Sequence, residues 1–485
     1  MSADSTPEPG VPHMTPEAFR REGHRIIDWI ADYWASLEDR RVSPATQPGD
    51  VLRALPGHAP ESPGGDDEWD SIVRDLDEIV TPNLTHWQSP GFFAYFPCNG
   101  SGPGVLGELV SAGLGVNGML WSTSPAATEL ETRMLDWAAE LHGLPECFRS
   151  TGAGGGVIQG TASEAAVCAL VAAIKRSGRD PRACAVVCSD QAHSSIAKAA
   201  MVAGVAGGPE DGAHIRLVRT DAAGAMDPAH LREQMEERGG VRPVLVVATL
   251  GTTGTGAFDD LHAVADAADR GGERAWVHVD AAWAGSAMVC PEFRGPMSGV
   301  ERADSVCLNP HKWGLVTFDC DLFWVRDRGA LIEALSITPE YLRNAATDAG
   351  AVIDYRDWQI PLGRRMRALK LWFVYRHYGA EGLRAHIRRG AELAAAFEGW
   401  VRDDERFEVV TPRSLSLVCF ALRAGDDATR RLVAELNARG SIMVSHTRAG
   451  GRYVVRFAVG ATRTERRHVE RAWAEVRAVA GVVLG

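Results

Sequence analysis

No run in the 485-residue chain approaches the ~18 consecutive apolar residues of a membrane helix, so no membrane partner is expected. There is no basic excess either. The net charge is −12, and a nucleic-acid binder would normally carry a basic patch, which argues against that class. The chain also lacks a CxxC pair and an even cysteine count. Its nine cysteines (Cys98, Cys147, Cys168, Cys184, Cys188, Cys290, Cys307, Cys320 and Cys419) are scattered, several of them in strand-like runs. That usage points to reduced, packed thiols in a cytoplasmic protein. No metal site is expected. The opening MSADSTPEPGVPHM has neither the basic nor the apolar region of a signal peptide and reads as a short disordered tail. No internal repeat occurs. Apolar content is ordinary at 45%, enough for a large core across two or three structural units.

Thr15-Pro16-Glu17 opens a helix with a hydroxyl cap, a first-turn proline and an acid. Its Phe19, Ile26, Ile27, Ile30, Tyr33 and Trp34 make an apolar face too broad for an isolated surface helix. Residues 43–66 read as an irregular connection, and a second helix is expected over Asp67–Val80. The first hundred residues cannot bury themselves alone, so they are expected to wrap around the rest of the molecule or a partner subunit. Helical periodicity returns over Ala127–Leu141. From 150 to 330 strands alternate with helices. The strands are Cys184–Ser189, Ile215–Arg219, Val244–Thr249, Trp276–Asp280, Ser305–Leu308 and Leu322–Val325. They are apolar on both faces, the mark of a mainly parallel sheet flanked by helices, whose ligands sit at the strands' carboxyl ends. Further helices are expected at Gly363–His377, with a basic face of Arg364, Arg365, Arg367 and Lys370, and at Gly382–Val401. The end alternates strand and helix as a small α+β unit.

Lys312 stands in DSVCLNPHKWGLVTFDCDLFWVR (304–326), between two probable core strands. Lysine is rarely buried without purpose, and burial favours the neutral amine that attacks an aldehyde. A solvated lysine at a strand end would read the same way, so Lys312 needs company. In TGAGGGVIQGTASE (151–164) a glycine cluster runs into Thr161-Ala162-Ser163 and a helix, which makes an anion site or a flexible turn with a good cap. It is neither GxGxxG nor a P-loop. In WVHVDAA (276–282) Asp280 ends a mid-sheet strand, where a carboxylate is an N-cap, a metal ligand or a charge partner; beside Lys312 it would keep a pyridine nitrogen protonated. His278 reads as packed in the interior. His193, in SDQAHSS after the strand AVVCS, is placed to stack on a planar cofactor, to handle protons, or simply to cap the next helix. The polar loop Ser336–Gly350 carries Tyr341 and is a connector or a lid. The aromatic, turn-rich HWQSPGFFAYFPCNGSGPG (86–104) either lines a pocket or plugs a core. Together these are the parts of a pyridoxal 5'-phosphate (PLP) site.

With FFAYFP (92–97), SPAATELE (124–131), GGGVIQGTASEA (154–165), SDQAHSS (189–195), VVATLGTT (246–253), HVDAAWAGSA (278–287), NPHKW (309–313), DYRDWQIPLGRR (354–365) and LKLWFVYRHYG (369–379), the chain resembles the group II PLP decarboxylases, specifically the aromatic-L-amino-acid decarboxylases. The resemblance runs from about Met14 to the end. It implies a type I, aspartate aminotransferase-like α/β fold and a homodimer. It also implies an N-terminal helical segment (1–95) exchanged across the interface, a large PLP-binding domain (96–370) and a small C-terminal α+β domain (371–485). Lys312 is then the lysine that captures the cofactor aldehyde, Asp280 the partner of the ring nitrogen, and His193 the ring that stacks on it. Thr161, Ala162, Ser163 and Asn309 match phosphate positions, and Thr253 the threonine near the phenolic oxygen. Ala282 falls at the cofactor, and His311 and Trp313 flank the lysine. Tyr341 matches the loop tyrosine that assists protonation at Cα; phenylalanine there accompanies oxidative aldehyde formation in relatives.

For the substrate, Trp87, Tyr95, Phe96 and Pro97 match the family's aromatic pocket. Asn117 and Met119 fall where animal enzymes carry Ile and Phe that reach across the dimer, and Cys98 replaces a threonine that contacts a catechol hydroxyl. Gly363 matches a position where glycine in plant relatives accompanies indoles and serine phenols. The resemblance therefore implies decarboxylation of an aromatic L-amino acid to the arylalkylamine, with tryptophan or 5-hydroxytryptophan favoured over phenylalanine, tyrosine and dopa. Two alternatives are an aldehyde synthase on the same scaffold and, more distantly, a nucleotide-dependent oxidoreductase using the glycines of GTTGTG (251–256). The spacing of that segment is wrong for a dinucleotide fingerprint.

Overall fold

The computed structural model describes residues 13–62, 64, 68–269, 273–337 and 352–485. Its first strand, β1 (Phe92–Phe93), has only two residues. Seven strands follow: β2 (Gly155–Gln159), β3 (Cys184–Ser189), β4 (Ile215–Val218), β5 (Arg242–Thr249), β6 (Trp276–Asp280), β7 (Ser305–Leu308) and β8 (Asp321–Val325). They form one sheet in the order β2-β8-β7-β6-β5-β3-β4. Pairs from β4 through β7 are parallel, while β8 runs antiparallel to both β7 and β2. The mainly parallel sheet expected from doubly apolar strands is present. Most of its strands are buried along their whole length, which requires cover on both faces. Helices such as Ala162–Ser177 and Leu261–Ala268 share its core.

The remaining strands, β9 (Phe407–Val409), β10 (Leu417–Leu422), β11 (Met443–Ala449) and β12 (Arg452–Ala458), join β1 in a second sheet ordered β1-β11-β12-β10-β9. Its pairs are antiparallel except β1 with β11. Helices Asp426–Arg439 and Arg466–Leu484 pack on it around a separate core that includes Phe397, Phe420 and Phe457. Phe92 and Phe93 thus tie the aromatic segment of the N-terminal hundred residues to the C-terminal sheet.

Two local expectations change, and one strand is unforeseen. The glycine cluster at 154–156 is not a loop but the entry to β2. A Cβ on Gly156 would stand 2.6 Å from Trp324, and one on Gly154 would stand 2.0 Å from the Cys147 carbonyl. The glycines serve close packing, and the helix start lies beyond the strand. The polar-looking MVSHTRA forms β11, in which only Val444 and Ala449 are buried. The connection at 43–66 contains a short helix, Asp50–Ala54. The two helices expected after 363 are present within Arg367–Arg402, separated at Gly379, whose φ of 60° and ψ of -179° are not helical. The basic residues there divide: Arg364 and Lys370 are buried and Arg367 is half-buried, while Arg365 stays exposed. Arg364 pairs with buried Glu131 at 2.7 Å, Arg367 with Asp319 at 3.0 Å, and Arg365 with Glu108. Lys370 is fully buried, its Nζ 2.9 Å from Glu108. The first helix, Pro16–Ala35, is capped by the Thr15 hydroxyl as expected and leaves Phe19 and Ile27 exposed.

Candidate active site

The carboxyl ends of β5 and β6, the turns after β3 and β7, and the start of helix Ala162–Ser177 converge on a cavity of about 210 Å³. Thr161, Ala162, Ser163, His193, Thr253, Asp280, Ala282, Asn309, His311 and Lys312 all line it. These are the ten residues expected around the cofactor. Tyr341 lies outside the described residues.

Lys312 sits on a one-turn helix, Pro310–Trp313, between β7 and β8. It is half-buried rather than buried, because this turn carries it off the strands and into the cavity. Its amine forms no hydrogen bond or ion pair with the described residues. Asp280 ends β6, is almost wholly buried, and its Oδ1 accepts from the Ala282 N–H at 3.0 Å. His193 is oriented by Ser195: the Ser195 N–H donates to Nδ1 at 3.1 Å, and the Ser195 hydroxyl lies 2.9 Å from the same atom. An Nδ1 that accepts leaves the proton of the neutral ring on Nε2. Burial, and then the Lys312 charge, hold this imidazole below its ordinary pKa, against a smaller opposite pull from Asp280. His311 accepts the Cys320 N–H at Nδ1 (2.9 Å), and burial lowers its pKa to about 3, so it too is neutral. Thr161 is the cap residue of helix Ala162–Ser177, yet its hydroxyl makes no capping bond. The Glu164 N–H already bonds the Thr161 carbonyl at 2.9 Å, whereas the N–H groups of Ala162 and Ser163 have no intrahelical acceptor by geometry, so this end offers donors to an anion. His278, two residues before Asp280, is fully buried with Nδ1 2.8 Å from the Ser305 hydroxyl, and burial takes its pKa down to about 4.

One wall is aromatic. Phe96 stacks on Trp283 at 4.1 Å, and Trp283 on Trp313 at 5.5 Å. Phe96 and Trp283 line the cavity, whereas Trp313 stands behind them in the core. Behind Phe96 the Arg456 guanidinium lies 5.0 Å from the ring and donates to the carbonyl of Gly254 at 2.8 Å and to Ser445 Oγ at 2.6 Å. The other expected substrate residues do not line the cavity. Trp87 stacks on exposed Tyr95 at 5.5 Å, Pro97 is buried, and Cys98 is half-buried, its thiol pushed up by burial with Lys312 opposing. Asn117, Met119 and Gly363 gather elsewhere: Asn117 Oδ1 accepts the Arg364 N–H at 2.9 Å, and a Cβ on Gly363 would lie 3.8 Å from Asn117 Nδ2. Met119 accepts from the Arg356 N–H at 3.1 Å through its carbonyl.

The family model described as pyridoxal-dependent decarboxylase conserved domain matches residues 48–423. The chain belongs to the pyridoxal-dependent decarboxylase family. It is 45% identical to tryptophan decarboxylase 2 of Oryza sativa subsp. japonica, over 97% of this chain and 96% of that one. It is equally 45% identical to a phenylacetaldehyde synthase of Arabidopsis thaliana, over 97% of each. Among solved structures, Oryza sativa TDC with PLP and tryptamine superposes with a TM-score of 0.94 at 42% identity, covering 98% of this chain and all (100%) of that one. As a pyridoxal-dependent decarboxylase the protein is a carboxy-lyase that uses PLP.

The decarboxylase cavity fits that cofactor. It combines an amine with no ionic partner among the described residues, a carboxylate at the sheet's centre, an uncommitted cap hydroxyl and a helix start. Reasoning from residues alone missed Ser195, Trp283, Phe318, Thr249 and Gly251, which also line it, and Arg456 behind it. Ser195 was within the quoted SDQAHSS, and Trp283 within HVDAAWAGSA. Arg456, in a strand far along the chain, carries no local signal.

Proposed function

We propose that this decarboxylase removes the α-carboxyl group of an aromatic L-amino acid as carbon dioxide and leaves the arylalkylamine, with tryptophan or 5-hydroxytryptophan the favoured substrate. The Lys312 amine, unpaired among the described residues and sharing one cavity with Asp280, His193 and the helix start at Thr161, carries this reading. Bound PLP supplies an electron sink for the pair left on Cα when carbon dioxide departs. Lys312 holds the cofactor's aldehyde between turnovers. Asp280 keeps the ring nitrogen protonated, and His193 lies against the ring with its proton on Nε2. Thr161, Ala162, Ser163 and Asn309 hold the phosphate, Thr253 the phenolic oxygen, and Ala282 and His311 complete the pocket. Tyr341 assists return of a proton to Cα.

The flat surface of Phe96 and Trp283 suits an aromatic side chain. Gly363 adds no bulk beside Asn117, which favours the larger indole. Trp87, Tyr95, Pro97, Cys98, Asn117, Met119 and Trp313 form the outer pocket, completed by a second copy of the chain. The homodimer is supported by the apolar residues Leu106, Leu109 and Leu114, exposed on helix Gly102–Leu114 together with Phe19 and Ile27. In this arrangement segment 1–95 is exchanged between copies, 96–370 binds the cofactor, and 371–485 is the small domain. No described helix is long and apolar enough to cross a membrane, which agrees with a cytoplasmic site of action.

A panel of tryptophan, 5-hydroxytryptophan, phenylalanine, tyrosine and dopa, scored for amine, aldehyde and carbon dioxide, tests the proposal. Amine from an indole substrate, with carbon dioxide in equal amount, is expected. The similarity to a phenylacetaldehyde synthase favours one second reading, oxidative aldehyde formation. Stoichiometric peroxide during turnover would establish it in place of simple decarboxylation.

A further inference from the structure

Asp321 opens β8 and is fully buried, yet neither carboxylate oxygen has a hydrogen-bond partner among the described residues. Gln159 of β2 stands directly opposite it. On the other side β7 pairs Leu308 with Leu322, so the register carried one step further sets Asn309 opposite Asp321. Cross-strand partners share a sheet face, which puts the three side chains in one row. Gln159 Oε1 and Asn309 Oδ1 are likewise buried without partners. The Gln159 amide is fixed, because Nε2 donates to the Trp358 carbonyl at 3.1 Å and to Cys168 Sγ at 3.4 Å. On the helix above, Glu164 accepts the Gly160 N–H at 3.1 Å with Oε2, and its Oε1 is another buried oxygen without a donor. The buried atoms left without partners in and above this row are thus all oxygens. An ionised carboxylate adds two more acceptors, whereas a protonated carboxyl adds a donor.

We propose that Asp321 is kept as a neutral acid, that its hydroxyl donates to Asn309 Oδ1, and that Asp321 is thereby a positioning residue turning the Asn309 amide nitrogen toward the cofactor phosphate. The proposal rests on the cavity being a PLP site, since Asn309 lines that cavity. The groups around Asp321 agree. Glu164 and Cys168 face it from the helix, Asp280 from β6, Cys307 from β7, Cys320 from its own strand entry and Lys312 from the one-turn helix. Burial, then Asp280 and Glu164, drive the carboxyl well above the ordinary carboxylate range, and only Lys312 opposes them. An ionised Asp321 would add a fourth anionic group to Asp280, Glu164 and a bound phosphate.

Infrared difference spectra of wild type against D321N read this carboxyl directly, with or without PLP. A protonated-acid carbonyl band at neutral pH, present in wild type and missing in D321N, is expected. A carboxylate signature overturns the proposal, and elemental analysis then shows whether a cation balances it. Positioning is read from PLP affinity of the apoenzyme. D321L removes the donor and weakens PLP by about tenfold, the worth of one buried hydrogen bond. D321N, whose amide nitrogen still donates, stays within about threefold of wild type. In an N309A background the D321L loss disappears; an undiminished loss there overturns the positioning role. Should D321L not fold, the infrared comparison and the affinity of D321N still decide the matter. Wild-type protein that binds no PLP would sink the cofactor assignment itself, a failure distinct from an ionised Asp321.

Discussion

Lys312 is available for chemistry because nothing among the described residues claims its charge. Replacing it with alanine is expected to abolish turnover and to leave no cofactor that borohydride can fix to the chain; near-normal turnover would remove Lys312 from its role. Ser195 orients His193 through two atoms, of which the backbone N–H survives mutation. Ser195→Ala is therefore expected to lower kcat/KM by less than about tenfold, below the range for losing an acid–base group. A loss of a hundredfold or more would give the orienting role to the hydroxyl. At this scale much was legible in the sequence. Lys312, Asp280 and His193 lie at strand ends, and local pattern finds strand ends. What local pattern missed depends on distant partners. Local pattern puts Lys370 on the basic face of a helix, yet it is the fully buried lysine, while Lys312 is only half-buried.

Helix Gly102–Leu114 approaches helix Arg367–Arg402 at Gly107, where a Cβ would stand 2.6 Å from Lys370 Cα. Backbone cannot yield as a flexible side chain does. Gly107→Ala should cost about 1–3 kcal/mol of stability, read as a lower Tm or denaturation midpoint. Arg456→Met should loosen the cavity wall by releasing its bonds to Gly254 and Ser445 and its contact with Phe96, and should raise KM more than it lowers kcat. Elements with continuous apolar runs, such as β3, β6 and β7, were readable with correct ends. β2 was not, because glycine weakens a strand's signature even where tight packing demands it. β11 was missed because four consecutive polar residues, Ser445 to Arg448, hide any apolar period, and β1 because two residues carry no period.

The whole molecule is built to be sensitive to acid. His142, His278 and His386 have pKa values lowered to about 4, and His311 to about 3, in each case first by burial. The unfolded chain takes up these protons near pH 6.5, and the folded chain does so only much lower. Their stabilising contribution is therefore complete above about pH 6.5 and is lost as pH falls toward the folded values. At pH 5 each forfeits on the order of 2 kcal/mol relative to neutral pH. Asp259, raised to about 6, and Asp321, raised well above the ordinary range, act in the opposite direction but are outnumbered. A Tm that falls between pH 7.5 and pH 5 is expected, and a constant Tm would show that the histidines are not buried neutral. The second sheet sets a different constraint, on time. β1 is completed only by β11, Tyr95 N–H reaches Ser445 Oγ across 350 residues, and Phe96 rests on Arg456. Lys312, Asp280 and His193 all leave the ribosome well before those partners. The aromatic wall of the cavity therefore cannot close on a nascent chain until its last strand has been synthesised, so a prematurely terminated product would carry the reactive lysine in a pocket open to water.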